Sequence, residues 1–170
     1  LSGDYAYVLD DRSGLQVFAI TNPASPQLVG GVGTPDSAIG IAVAGDRAYA
    51  AIGSGGLRVI DITDPTNLQI IDGLYTQGYA SSIAISGNNA YMADAALGLQ
   101  ALDISNPANV LRVGGINTPG VAMDVALSGH LAYVADRESG LQVVDIADPT
   151  NTRMIGGLDT SGMAYGVALA

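Results

Sequence analysis

A chain of 170 residues with 48% apolar side chains and only 13% charged ones is long enough for one cored domain and too apolar to be disordered. Its net charge of −10 leaves no basic footprint for nucleic acid or for an anionic membrane surface. The absence of Cys removes disulfides, thiol catalysis and Cys-ligated metals.

The longest apolar runs are five to seven residues, broken by Gly, Asp or Asn, against the ~20 a membrane helix needs. No basic start followed by an apolar core is visible, so no signal peptide is read. The chain begins without Met, which points to a processed product or a segment of a longer chain. All six basic residues are Arg. Acidity without Lys or Cys fits a secreted or cell-surface protein of a prokaryote, living in salty surroundings.

The chain repeats itself every 42 residues. Gly3, Gly45, Gly87 and Gly129 hold this spacing, as do Tyr7, Tyr49, Tyr91 and Tyr133. Gly14, Gly56, Gly98 and Gly140 follow it, each with Leu next, and so do Pro23, Pro65, Pro107 and Pro149. Thr34, Thr76, Thr118 and Thr160 complete the set. The whole chain, 1–170, therefore reads as one repeat domain of units 3–44, 45–86, 87–128 and 129–170. Leu1-Ser2 match Leu127-Ser128 and Leu169-Ala170 in phase.

The third unit shows the elements in chain order. Residues 80–86 (ASSIAIS) form a short apolar strand closed by a Gly87-Asn88 turn. Residues 89–94 (NAYMAD) form the second, before a small loop that ends at Gly98. Residues 99–105 (LQALDIS) form the third, ended by Asn106-Pro107, and 110–116 (VLRVGGI) the fourth. Gly-Asn pairs suit tight hairpins, and Asn-Pro opens turns. Four strands and four short loops come to roughly 40 residues, the size of a propeller blade. The third strand is apolar on both faces, as in LRVIDI (57–62) and LQVVDI (141–146). A sheet buried on both faces reads this way. The fold expected is all-β, a β-propeller of four-stranded blades; a β-solenoid is the competing arrangement.

Gly-Leu-x-Val-[Ile/Val]-Asp-Ile, Pro, Val-Gly-Gly, Thr-x-Gly-x-Ala and Ala-Tyr-Val-Ala-Asp together resemble the LVIVD repeat, with residues 129–170 the fullest copy. The resemblance covers essentially the whole chain. It implies a propeller of a bacterial or archaeal surface protein, and it implies little about activity. Ile52 departs from the pattern where the other copies have Asp10, Asp94 and Asp136; Ala19 departs where they have Asp61, Asp103 and Asp145.

If the strand before the Gly turn is innermost, residues 164–170 (AYGVALA) would supply the inner strand that residues 5–33 lack. That exchange hides a sheet edge. It would act within the chain as a four-bladed ring, or between chains as an eight-bladed dimer. Small inner-strand residues leave the blade count open, and more than four blades is the preferred reading.

Catalytic candidates are few. Asp61, Asp103 and Asp145 lie one per unit and read as buried structural carboxylates held by the following turn, at Ser105 for instance. Asp10, Asp94 and Asp136 read as loop caps, and the adjacent pair Asp10-Asp11 is the nearest thing to a cation site. The sole His, His130, sits at a turn position held elsewhere by Asp4, Asp46 and Asn88, so no Ser-His-Asp triad is indicated. No P-loop or dinucleotide fingerprint occurs, and no cofactor is expected.

Function on a fixed scaffold is carried where copies differ. The loops 34–40, 76–82, 118–124 and 160–166 differ most, and Asp36, Tyr79, Met123, Asp124, Met163 and Tyr165 are their non-repeating side chains. Three readings are open. The favoured one is a non-catalytic binding or structural module, associating with itself or with a surface polymer or protein. The second is a hydrolase or lyase acting on an extracellular polymer through Asp36 and Asp124. The third is a designed scaffold.

Overall fold

The computed structural model describes residues 3–170, so the matching pair Leu1-Ser2 lies outside the described residues. Its fifteen strands are β1 (Tyr5–Asp10), β2 (Gly14–Ala19), β3 (Gln27–Val32), β4 (Gly40–Ala44), β5 (Arg47–Ala51), β6 (Leu57–Asp61), β7 (Gln69–Leu74) and β8 (Ser82–Ser86). They continue with β9 (Asn89–Ala93), β10 (Leu99–Asp103), β11 (Leu111–Ile116), β12 (Asp124–Ser128), β13 (Leu131–Ala135), β14 (Leu141–Asp145) and β15 (Arg153–Leu158). Each sheet is an antiparallel meander of consecutive strands: β1-β2-β3, β4-β5-β6-β7, β8-β9-β10-β11 and β12-β13-β14-β15. Hairpin-linked antiparallel sheets exclude the solenoid and give propeller blades.

The repeat spacing explains the turns. Gly98 closes the loop before β10 at φ +69, with no room for a Cβ against the Ile116 carbonyl and the Thr118 amide. Only Gly meets both demands. Gly14, Gly56 and Gly140 repeat the geometry at φ of about +70.

Successive sheets stack face to face through three joints. The first buries Leu15 and Val17 of sheet one against Ala48, Ala50, Ile52 and Ile60 of sheet two. The second sets Tyr49, Leu57 and Val59 against Ala90, Met92 and Leu102. The third sets Tyr91, Leu99 and Ala101 against Ala132, Val134 and Val144. Each joint is the same pattern moved by one repeat, which is why both faces of the third strand are apolar. Each large buried aliphatic there contributes about 1.5–3 kcal/mol.

A bulge at one position per sheet refines the pattern. Pairing slips between Val17/Phe18, Val59/Ile60, Ala101/Leu102 and Val143/Val144. The outer strand gains one unpaired residue there: Val29, Ile71, Val113 and Ile155. The first three turn into the joints. Ile155, with no sheet following it, stays 58% exposed.

The inner strands β4, β8 and β12 lie side by side at the hub. Closure within the chain is not found. Among the described residues sheet one keeps three strands, β1 has no partner on its hub edge, and residues 165–170 form no strand. That segment instead lies next along the hub, where the Val167 amide donates to Asp124 Oδ2 at 2.9 Å. Three joints link the four sheets in sequence, and among the described residues no pairing joins this segment to β1.

Candidate functional site

The loops entering the inner strands and the loops leaving the second strands meet at one end of the hub. Paired backbone bonds tie them: Gly53 with Ala80, Ala95 with Ala122, and Arg137 with Ala164. The positions Gly53, Ala95 and Arg137 all take left-handed backbone, at φ +53, +48 and +41. The two side-chain-bearing residues there carry strain that the paired bonds hold in place.

Beneath these loops lie two carboxylates. Asp136 is fully buried and accepts from the Thr118 hydroxyl and, at 2.8 Å, from the Gly120 amide. Asp94 is equally buried and accepts from the Thr76 hydroxyl at 3.1 Å, while its Oδ2 has no partner. Burial pushes the Asp94 carboxyl above its ordinary range; the Thr76 hydrogen bond and the Arg112 charge oppose this. Asp10, the same repeat position, is exposed and accepts from the Arg12 and Ser13 amides, which hold its carboxyl below the ordinary range. The common capping role expected for these three therefore divides. Two clasp an incoming loop, and Asp10 caps its own because nothing lies over it. Where Ile52 replaces the Asp, the Thr34 hydroxyl turns to the Asp36 carbonyl; Thr160 turns in the same way to the Gly162 carbonyl.

The other acidic series ends strands rather than filling joints. Asp61 accepts from the Thr63 amide and hydroxyl and pairs with Arg47 at 3.0 Å; Asp103 accepts from the Ser105 amide and Asp145 from the Ala147 amide. All three are half-buried, not enclosed as expected, because the chain turns away immediately after them. His130 sits exposed in its turn, and Asp11 is exposed beside Asp10. Among the described residues no three His, Asp or Glu side chains gather to hold a metal ion.

These carboxylates set an acid limit. Asp10, Asp61, Asp64, Asp103 and Asp148 are lowered by hydrogen bonds to nearby amides and hydroxyls. Their stabilisation is present above the unfolded carboxylate range and is lost as pH falls through the lowered folded values. Asp94 has the opposite sign: its raised carboxyl favours the fold below the unfolded value, and that advantage is lost as pH rises. Urea unfolding is therefore expected to show Asp94→Asn more favourable, relative to the native protein, at pH 7 than at pH 3. The reverse trend would mean that the buried carboxyl is held ionised.

The six loop side chains do not form one cluster. Asp124 opens β12 and bridges three repeats, accepting from the Ser82 hydroxyl at 2.6 Å on one side and the Val167 amide on the other. Asp36 is exposed, with its carboxylate beside Gly55. Tyr79 lies over Gly53 and remains 48% exposed; Met123 is half-buried. Met163 and Tyr165 meet Arg137, whose guanidinium lies 5.7 Å from the Tyr165 ring centre and 3.7 Å from the Met163 sulfur. Arg137 and Ile39 were not read from the sequence. Ile39 holds the repeat position of Met123 and Tyr165 and is 44% exposed, a signal that the spacing of 42 contains.

The LVIVD repeat pattern matches at residues 1–34, 36–76, 77–118 and 119–160. The chain belongs to the LVIVD repeat family. Its matched units coincide with the four sheets, whereas counting from the Gly turns cuts each sheet after its inner strand. No curated protein matches the sequence. The LVIVD chain is similar to the computationally designed Ika8 protein over 100% of its own length and 51% of that chain, with a TM-score of 0.75 and 12% identity. A second designed protein, Ika4, is similar over 81% of this chain and 82% of that one, at 0.63 and 13%. A functionally unknown protein from Desulfotomaculum acetoxidans DSM 771 is similar over 100% and 61%, at 0.77 and 14%. The LVIVD chain thus spans about half of the first and about three fifths of the last. At these identities the likeness shows the fold alone.

Proposed function

We propose that this LVIVD chain is a non-catalytic binding module of a secreted or cell-surface protein, holding a polymer or protein on the loop face of its hub. One observation carries the reading. The carboxylates Asp94, Asp124 and Asp136 are engaged within the fold and Asp36 stands apart from them, while the other side chains exposed on that face include Tyr79, Tyr165, Met163 and Ile39. Tyr rings and thioethers bind by stacking and packing. A sugar ring or an apolar side chain suits such a surface.

The test is affinity electrophoresis against soluble glucan, xylan and alginate, with released reducing ends assayed in parallel. Retardation by one polymer, lost in Tyr79→Ala/Tyr165→Ala and without sugar release, is the expected result. Release of reducing ends that disappears in Asp36→Asn/Asp124→Asn would replace this reading with the hydrolase or lyase.

A further inference from the structure

We propose that the loop of residues 76–80 has two positions, chosen by the proton on Asp94, and that the change between them moves Tyr79 on the loop face. An unmade hydrogen bond and a strained residue, both in this loop, point to it.

Thr76 and Thr118 hold the same repeat position above Asp94 and Asp136, and each hydroxyl donates to the Oδ1 below it. The Gly120 amide completes the second clasp by donating to Asp136 Oδ2 at 2.8 Å. Gly78 stands one repeat before Gly120, yet its amide makes no such bond. Asp94 Oδ2 is buried and has no partner among the described residues. Gly78 instead turns its Cα to the carboxylate, so close that a Cβ there would strike both oxygens.

The strained residue is Gln77, at φ +65. That backbone is costly for an L residue, and Gln77 is exposed, so no packing demands it. The same place in the complete clasp is Pro119, whose ring holds φ at about −65°. Pro119 is barred from the position that Gln77 occupies. Rotation at Gln77 re-aims the Gly78 amide, so the strain and the missing bond share one cause.

Charge decides between the two positions. In the strained one, Asp94 is desolvated and receives nothing from the amide, which favours the protonated carboxyl. A donated amide favours the carboxylate. Burial does push this carboxyl above its ordinary range, with Thr76 and Arg112 opposing. Arg112 is the charged side chain whose field reaches it; the overlying loop adds Tyr75 and Tyr79, and 52–56, 95–98 and 118–122 add no ionisable group. As pH rises and the proton leaves, the Gly78 amide is drawn in and Gln77 relaxes. As pH falls, the strained position returns.

Both ends of the loop are fixed. Leu74 pairs with Leu57, Asp94 holds the Thr76 hydroxyl, and Ala80 exchanges two backbone bonds with Gly53. The motion is thus confined to residues 77–79, and Tyr79, whose ring covers Gly53, is the large side chain it carries. Tyr79 belongs to the surface assigned above to binding, but the switch is a property of the free chain and is tested there.

NMR of the free chain reads it. The Gly78 amide nitrogen and the contact between the Tyr79 ring and the Gly53 α-protons are expected to titrate together with the Asp94 carboxyl carbon, while the Gly120 amide does not follow. Gln77→Gly removes the left-handed penalty, raises the population ratio of the strained position by about tenfold and moves the shared midpoint to higher pH. Gln77→Pro forbids that position, moves the Asp94 midpoint to lower pH and gives the Gly78 amide a hydrogen-bonded shift throughout. Asp94→Asn is expected to keep Tyr79 over Gly53 at every pH. An Asp94 carboxyl that titrates while Gly78 and Tyr79 stay still overturns the proposal. So does a midpoint indifferent to both Gln77 variants.

Discussion

Gly114→Ala is expected to lower the thermal midpoint by roughly 4–12 °C, the effect of about 2–3 kcal/mol of overpacking in a chain of this size. Gly114 lies in β11 against the Pro149 carbonyl of the next sheet, and a Cβ there falls inside hard contact with backbone. Backbone cannot rotate aside as a side chain can, so the joint must open. Gly30 meets the Pro65 carbonyl in the same way. Asp72 holds this position in sheet two, where its carboxylate accepts from the Val110 amide at 2.7 Å. That joint admits a side chain because the side chain returns a hydrogen bond, and Ala returns none. Gly156, one repeat on, has nothing within 4 Å. Gly156→Ala should stay within about 0.5 kcal/mol of native, or roughly 1–2 °C. Scanning calorimetry reads both; equal midpoint losses in the two variants would sink the argument.

Asp136→Ala is the second large effect, at about 2–4 kcal/mol. It removes the acceptor of a buried hydroxyl and of the Gly120 amide, and an unsatisfied buried group costs about 1–3 kcal/mol. Asp136→Asn keeps one acceptor and should recover part of the loss. Asp10→Ala, at the same repeat position, deletes only an exposed loop cap and should cost about 0.5–1 kcal/mol in the monomer. Urea midpoints of the three variants decide it. Equal losses for Asp136→Ala and Asp10→Ala would show that burial under the Thr118 loop contributes nothing.

The strands were legible because Gly, Pro and Thr punctuate every repeat and because the third strand is apolar on both faces. The third unit's expected strands at 89–94 and 110–116 became Asn89–Ala93 and Leu111–Ile116. The bulge was not legible. Consecutive apolar pairs such as Leu28-Val29 read as an ordinary strand until pairing shows which member is turned inward. The blade count was not legible, because strand identity says nothing about the angle between successive sheets. At the candidate site the variable loops were found, while the clasp was missed. Its partners lie 18 residues apart, and the spacing breaks at Ile52. Asp124 illustrates the limit on reading chemistry from variation: its carboxylate differs from Gly40, Ser82 and Gly166 yet serves as a tie between repeats.

The bulges also decide where this molecule can be extended by foreign chains. β3, β7, β11 and β15 each expose a rim edge bent at one residue, and an incoming strand cannot lie flat along such an edge. β1 pairs with β2 through six residues without a slip, so its hub edge is straight. Misassembly under stress should therefore proceed from the hub, one chain at a time. Fibres formed by crowding at the rim are disfavoured.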